Sequence, residues 1–134
     1  MKYLLDVNAL LALAFEKHEF HQRTSFWLRA ERTAEKTAFL SCPIIELGFV
    51  RIASTLPIFQ TDLHEALHAL AQLKAKLKIS LITDDHGAER LPKWVKTGKQ
   101  TTDGHLTELA KAHGAKLATL DGKIPGAFVI PKAA

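Results

Sequence analysis

Short apolar runs alternate with longer amphipathic segments along most of the chain. The first run begins at Tyr3 and stops at Asp6, and an apolar segment over residues 9–14 follows it. A few consecutive apolar residues between polar ones are typical of a fully buried strand, and longer apolar periodicity is typical of a helix. The pattern therefore predicts that the chain opens with a strand followed by a helix, as in a βαβ unit.

The rest of the pattern repeats this alternation. Further short strands are predicted near residues 38–40, 79–82, 117–120 and 127–130. Helices are predicted near residues 20–34, 43–54, 61–77 and 101–113. Strands that alternate with helices favour a parallel sheet between helical layers. We predict an α/β protein, a three-layer α/β/α sandwich with a mostly parallel central sheet of about four or five strands, in one domain spanning residues 1–134.

Composition narrows the class of protein. Hydrophobic residues make up 47% and charged residues 24% of the chain, as in ordinary soluble globular proteins. No apolar run reaches the roughly 18 residues that a membrane span needs, and the first residues lack the pattern of a signal peptide. The single cysteine, Cys42, excludes an internal disulfide and fits a reducing compartment. We therefore expect a cytoplasmic protein with no membrane segment.

The net charge of +4 permits a polyanionic partner without requiring one. Part of the excess is concentrated around Trp94, where Arg90, Lys93, Lys96 and Lys99 lie within ten residues. A basic stretch with an aromatic side chain can contact phosphates and stack on a base. It can equally be a solvated loop, and the sequence leaves both interpretations open.

Four acidic residues share a predicted position in the fold. Asp6 and Asp121 follow predicted strands, and Glu46 and Asp103 lie in the first turns of predicted helices. In a parallel sheet, all four could face the edge formed by the carboxyl ends of the strands. A helix N-terminus alone stabilises an acid by about 0.3–1 kcal/mol, which accounts for each helical acid singly but not for the shared edge. Clustered carboxylates repel one another unless a cation neutralises them, and oxygen ligands suit Mg²⁺ or Mn²⁺.

Three motifs in this order and spacing carry a family resemblance. They are LLDVNAL at residues 4–10, CPIIELGFVR at residues 42–51 and TTDGHL at residues 101–106, continued through LATLD at residues 117–121. With them the sequence resembles the PIN-domain ribonucleases of the VapC type, the toxin subunits of type II toxin–antitoxin pairs. The resemblance covers nearly the whole chain. One departure is Gly104, because Ala or a larger residue is commoner at that position.

The resemblance implies a set of site residues. The acidic quartet carries over onto Asp6, Glu46, Asp103 and Asp121, which would be the catalytic metal ligands, with Asn8 and Thr119 as supporting residues. The implied activity is hydrolysis of RNA phosphodiester bonds with Mg²⁺ or Mn²⁺ as cofactor. A divalent ion can polarise a phosphate and lower the pKa of an attacking water, so no covalent intermediate is needed.

The resemblance also implies two protein partners. One is a second copy of the chain, giving a homodimer, and the other is a cognate antitoxin lying along the first helices. Those helices carry four large rings, at Phe15, Phe20, Phe26 and Trp27. Two short amphipathic helices cannot bury all of them, so some are predicted to be exposed anchors for a partner. Phe20 and Trp27 are the predicted antitoxin contacts.

Two other functions remain possible at this stage. The segment His64-Glu65-Ala66-Leu67-His68 is a literal H-E-x-x-H motif, which on a helix belongs to zinc peptidases. Such a site needs a third protein ligand, and none follows at the spacing of the extended motif. The second alternative is a non-catalytic PIN-like module that binds RNA or protein, because intact ligands do not prove turnover.

Overall fold

The computed structural model describes residues 1–34 and 36–132. Five parallel strands form one sheet in the order β3-β2-β1-β4-β5. Their bounds are Lys2–Leu5 for β1, Ala38–Ser41 for β2, Ser80–Leu81 for β3, Lys116–Thr119 for β4 and Phe128–Val129 for β5. The predicted sheet is confirmed, and every pairing in it is parallel.

Five helices connect these strands. Their bounds are Val7–Ala14 for α1, His21–Thr33 for α2, Pro43–Thr55 for α3, Leu63–Leu77 for α4 and Thr101–Ala112 for α5. Parallel crossovers are almost always right-handed. The connections from β1 to β2 and from β2 to β3 run in one direction across the sheet, so α1–α4 cover one face, while α5 lies on the other. The three-layer α/β/α arrangement is therefore confirmed.

Strand β1 lies at the centre of the sheet, between β2 and β4. Its Leu4 pairs with Leu40 on one side and with Leu117 on the other, and all three side chains are buried. A strand that is covered on both faces must be apolar throughout, which explains the continuous run at the start of the sequence. The chain leaves β1 toward β2 on one side and returns to β4 on the other. Ligands of open α/β sheets bind in the crevice at such a reversal, beyond the carboxyl ends of the strands.

The aromatic rings near α2 are buried differently from the prediction. Trp27 is only 4% exposed and packs edge-on against Tyr3, with ring centroids 5.0 Å apart. Phe26 is 54% exposed instead. The prediction that Trp27 is a surface anchor for a partner was therefore wrong, because the helix turns this ring toward the sheet and its neighbour toward solvent.

The predicted apolar stripe on α4 is also only partly buried. Ala66 and Leu70 belong to the core, whereas Leu63 and Leu67 are about half exposed. Helix α4 packs on α3 and touches α1, so only the side that faces those helices is covered. Among the described residues, no helix is long and apolar enough to cross a membrane.

Candidate active site

Asp6 lies directly after β1 and caps the N-terminus of α1. Its Oδ1 accepts a hydrogen bond of 2.8 Å from the backbone N–H of Ala9. The pKa of Asp6 is raised to about 6, mainly by burial and in smaller part by the charges of Asp103 and Asp121, although hydrogen bonds with Thr119 and the Ala9 amide oppose the shift. The helix cap alone would favour the charged form. The raised pKa of Asp6 therefore reflects mainly the burial of its carboxyl group, to which the charges of two other acids add a smaller part.

Three of the predicted acids line one pocket of about 300 Å³. Asp6 enters it from the end of β1, Asp103 from the first turn of α5, and Asp121 from the segment after β4. Burial raises the pKa of Asp103, and the neighbouring charge of Asp121 adds to the shift. Burial and the charges of neighbouring acids thus both disfavour ionisation of Asp6 and Asp103.

The predicted supporting residues, Asn8 and Thr119, line the same pocket. Thr119 is buried at the end of β4, and its hydroxyl accepts a 3.0 Å hydrogen bond from the backbone N–H of Asp121. This bond fixes the turn that places Asp121 beyond the strand. Asn8 is exposed, and its Oδ1 lies 2.7 Å from Nε2 of His18.

Glu46 stands apart from the other three acids. It does not line their pocket, although it lies in the first turn of α3 as predicted. Its carboxylate is 2.9 Å from the ammonium of Lys74 and accepts a 2.7 Å hydrogen bond from the hydroxyl of Ser41. The ammonium also donates to the second carboxylate oxygen at 3.1 Å. Glu46 therefore has its own counter-charge, unlike the acids in the pocket.

The PIN domain family model matches residues 3–127, nearly the whole chain. The chain belongs to the PIN domain family.

This PIN domain is similar to several ribonucleases of Mycobacterium tuberculosis. Ribonuclease VapC38 of strain ATCC 25618 / H37Rv is 34% identical over 130 residues, which cover 90% of this chain and 86% of the relative. Ribonuclease VapC39 of the same strain is 32% identical over 134 residues, covering 92% and 91% of the two chains. Ribonuclease VapC44 of that strain is 30% identical over 136 residues, covering 92% and 89%. The likeness extends over most of each protein, which supports the resemblance to VapC-type toxins inferred from the motifs.

The donor set of this PIN domain fits a hard divalent cation. Mg²⁺ and Mn²⁺ prefer carboxylate oxygens. Three carboxylates line the pocket, and two of them, those of Asp6 and Asp103, have raised pKa values. A bound cation would favour the ionised form of both acids, against the effect of burial and of their neighbours' charges. Over residues 1–34 and 36–132, no three His, Cys, Asp or Glu side chains converge closely enough to form a finished metal site.

The H-E-x-x-H motif has a structural role in this PIN domain. The Glu65 carboxylate accepts a 3.1 Å hydrogen bond from the backbone N–H of Asp62, and Asp62 accepts one of 2.8 Å from the N–H of Glu65. This reciprocal pair is a capping box at the start of α4. His64 and His68 are exposed on the same helix. The glutamate of the motif is therefore engaged in capping its helix.

Two polar pairs at the same sheet edge were missed by sequence reasoning. One is the contact of Lys74 with Glu46, which joins α4 to α3. The other joins Asp84, after β3, to His105 on α5 at 2.6 Å. Burial raises the pKa of Asp84, but hydrogen bonds from His105 and from the backbone N–H of His86 outweigh burial and hold it below its usual value. The sequence did contain one signal for the second pair: Asp84 follows a short strand, as Asp6 does.

The departure from the family pattern at Gly104 has a steric cause in this structure. A methyl group at Gly104 would overlap Cγ2 of Val95 and lie 3.2 Å from Cδ of Pro92. The segment containing Pro92 and Val95 therefore lies directly on the first turns of α5. Only a residue without a side chain allows this approach.

We expect Gly104→Ala to destabilise the protein by up to about 2 kcal/mol. Helix propensity alone would stabilise the variant by about 1 kcal/mol, but overpacking against a close neighbour costs about 1–3 kcal/mol. Chemical denaturation followed by circular dichroism measures the difference. Gly122→Ala is the matched control, because a methyl group there meets nothing within 4 Å. A stabilised Gly104→Ala variant would contradict the close packing.

Proposed function

We propose that this PIN domain is a metal-dependent ribonuclease, the toxin of a toxin–antitoxin pair. The observation that carries the proposal is the pocket at the ends of β1 and β4, which is lined by Asp6, Asp103 and Asp121 together. The names of the relatives, which are ribonucleases of the VapC series, support RNA as the substrate.

Asp6, Asp103 and Asp121, joined by Glu46, would hold Mg²⁺ or Mn²⁺. When bound, such an ion polarises the scissile phosphate and lowers the pKa of an attacking water. The chain's own residues orient the acids: the Ala9 amide fixes Asp6, and the Thr119 hydroxyl fixes the turn at Asp121. Thr119 thus acts as a supporting residue, and exposed Asn8 borders the entrance of the pocket.

Glu46 would contribute less directly than the other three acids. Lys74 and Ser41 already bind its carboxylate, so a metal would compete with the lysine for it. The pair brings a positive charge to the sheet edge at which a phosphate would bind.

The experiment that tests this function is an RNA cleavage assay with the purified chain. We expect cleavage of single-stranded RNA in Mg²⁺ or Mn²⁺, its loss in chelator and its recovery when the metal is restored. Cleavage that is unaffected by chelator would contradict the metal-dependent mechanism. Specific RNA binding without cleavage in any divalent metal would favour the non-catalytic module.

A groove on the helical face supports the proposed antitoxin. It has a volume of about 430 Å³ and lies between α1, α2 and α4, with Leu13 and Leu73 in its walls and Arg29 and Arg32 at its edge. Because the lining combines leucines with mainly basic polar residues, we propose that it takes an amphipathic segment that carries apolar and acidic side chains. Of the two predicted contacts, Phe20 is half-buried and lies outside the lining of this groove, and Trp27 is buried; exposed Phe26 lies outside the lining as well. The groove, rather than the predicted rings, is the surface that we propose for the antitoxin.

The proposed homodimer has a candidate surface on α3 and α4. Ile44 and Leu47 on α3 lie exposed beside Leu63 on α4, and the three border one shallow cavity. A contiguous exposed apolar patch is typical of a protein interface. We propose that a second copy of this chain covers it, and that the protein acts in the cytoplasm as a homodimer.

We expect Leu47→Glu to convert the dimer into a monomer. Leu47 is 67% exposed, so a charge there leaves the fold intact but would be desolvated inside an interface. Light scattering coupled to size-exclusion chromatography measures the mass. Phe26→Glu is the control, because Phe26 is an exposed apolar residue on α2, outside the patch. A Leu47→Glu variant with the mass of the wild type would place the interface elsewhere.

A further inference from the structure

We propose that a second cavity, beside the acidic pocket, binds one unpaired nucleobase of the RNA strand. This cavity, the Trp94 pocket, has a volume of about 440 Å³. The lining residues that matter here are Pro92, Trp94, Glu108, Lys111, Lys116 and Pro125. The inference rests on the proposed ribonuclease function and adds a subsite that would hold a base within a few nucleotides of the cleaved phosphate.

The Trp94 pocket adjoins the acidic pocket along two elements. On α5, Thr107 lines the Trp94 pocket, and its hydroxyl donates a 2.7 Å hydrogen bond to the backbone carbonyl of Asp103 one turn earlier. After β4, Ile124 lines the acidic pocket and the next residue, Pro125, lines the Trp94 pocket. One helical turn is about 5.4 Å, and a stacked strand rises about 3.4 Å per nucleotide. The Trp94 pocket continues from there to Lys116 at the start of β4, so a strand that leaves the acidic pocket would run along it over a few nucleotides.

The walls of the Trp94 pocket suit a flat aromatic ligand. Trp94 is half-buried, and its outer part faces a cavity bordered by Pro92 and Pro125. Bases stack on aromatic side chains regardless of sequence, because every base has a π face. Glu108 at the rim offers a carboxylate that can accept hydrogen bonds from an exocyclic amino group. Apolar walls with a few polar groups are typical of small-ligand sites.

The charges around this pocket favour a polyanion as the occupant. Lys111 and Lys116 are exposed at its rim, and among the described residues neither takes part in an ion pair. The basic residues that flank Trp94 are exposed as well: Arg90, Lys93, Lys96 and Lys99. This surface is complementary to the phosphates on either side of a bound base. Of the two interpretations of this basic segment that the sequence left open, the inference therefore favours contact with phosphates over a solvated loop.

Close packing holds the segment that carries Trp94 in place. Pro92 and Val95, on either side of Trp94, lie against Gly104 with no room for a methyl group. The backbone N–H of Val95 donates to the carbonyl of Pro92 at 3.1 Å, which closes a tight turn around the tryptophan. A site held by packing of this kind needs little ordering when its ligand binds.

The test is RNA binding measured in chelator, where cleavage is absent. Fluorescence anisotropy of a labelled single-stranded RNA gives the affinity of the wild type, Trp94→Ala and Trp94→Phe. We expect Trp94→Ala to weaken binding by about 5- to 150-fold, the range expected for loss of one stacked base. Trp94→Phe, which keeps a ring, should lose much less. Phe26→Ala is the matched control, because Phe26 is an exposed ring far along the chain from the pocket, and its affinity should equal that of the wild type.

A second measurement serves if Trp94→Ala fails to fold. The chain has two tryptophans, and Trp27 is buried in the core. RNA should quench the emission of the wild type and leave that of Trp94→Phe unchanged, and an RNA with an abasic position at the preferred site should bind more weakly. Wild-type affinity in Trp94→Ala, or quenching that persists in Trp94→Phe, would overturn this inference. If the wild type still cuts RNA in that case, the ribonuclease proposal stands; if it neither binds nor cuts RNA, both fail.

Discussion

Replacing Asp103 with Asn is expected to lower the rate of RNA cleavage by about 100-fold or more. Asp103 enters the acidic pocket from the first turn of α5, and its charge faces Asp6 and Asp121. The amide has nearly the same shape but cannot replace a charged oxygen ligand. Loss of one preorganised electrostatic group in an active site commonly lowers rates by about 10²–10³-fold. Initial rates at saturating Mn²⁺ measure the effect.

Asp85→Asn is the matched control for the Asp103 variant. Asp85 follows β3 at the same edge of the sheet, but its side chain is 90% exposed and lies outside the acidic pocket. We expect this variant to cleave RNA at the wild-type rate. If Asp103→Asn retains full metal-dependent cleavage while folding normally, Asp103 is not part of the active site.

The second large effect is expected on stability: Asp6→Asn should stabilise the metal-free protein by about 1–3 kcal/mol at pH 7. Folding raises the pKa of Asp6 from its ordinary value of 3.8 to about 6, mainly through burial. One pKa unit corresponds to about 1.36 kcal/mol, so keeping this acid ionised in the folded state is unfavourable. Asn removes the charge and still caps α1, because Asn and Asp are equally good N-caps.

The sign of the pH dependence follows from the direction of the shift. Between pH 3.8 and about 6 the folded state binds more protons at Asp6 than the unfolded state, so the free energy of unfolding falls as the pH rises. The raised pKa of Asp103 acts in the same direction. Urea denaturation in chelator at pH 4.5 and 7.5 measures the change. We expect a smaller difference between the two pH values for Asp6→Asn than for the wild type. An equal or larger difference would show that Asp6 is not the strained acid.

The sequence was most informative where a local pattern decides the structure. Asp6 and Asp121 each follow a short apolar run, and the rule that ligands lie beyond strand ends placed both correctly at one edge. Asp103 follows from the helix start at Thr101, which forms even though Gly104 weakens helix propensity. These positions needed no knowledge of distant contacts, so the arrangement of the acidic pocket could be anticipated.

Long-range contacts explain what the sequence did not reveal. The pairing of Glu46 with Lys74 spans 28 residues, and nothing local signals it. The pairing of Asp84 with His105 likewise depends on how the segment after β3 lies against α5. Glu46 was grouped with the other acids because helix position is local, whereas the cation that occupies it comes from another helix.

The exposure of Phe26 and the burial of Trp27 show a second reason why a prediction from sequence can fail. Adjacent residues on a helix point about 100° apart, so an error of one position in the assumed face exchanges the buried ring and the exposed one. The surplus of rings near α1 and α2 was a correct observation. Which ring was exposed depended on the packing of α2 against Tyr3 and the sheet.

The most direct measurement of the central claim is Mn²⁺ binding to the purified chain, followed by the electron paramagnetic resonance signal of the free ion. We predict saturable binding to the wild type and to Asp85→Asn, and a loss of affinity of about 10-fold or more in Asp6→Asn and in Asp103→Asn. Calorimetry with Mg²⁺ in place of Mn²⁺ should give the same order of affinities. Saturable binding that is equal in all four proteins, or absent from the wild type, would contradict the assignment of these carboxylates as a metal site.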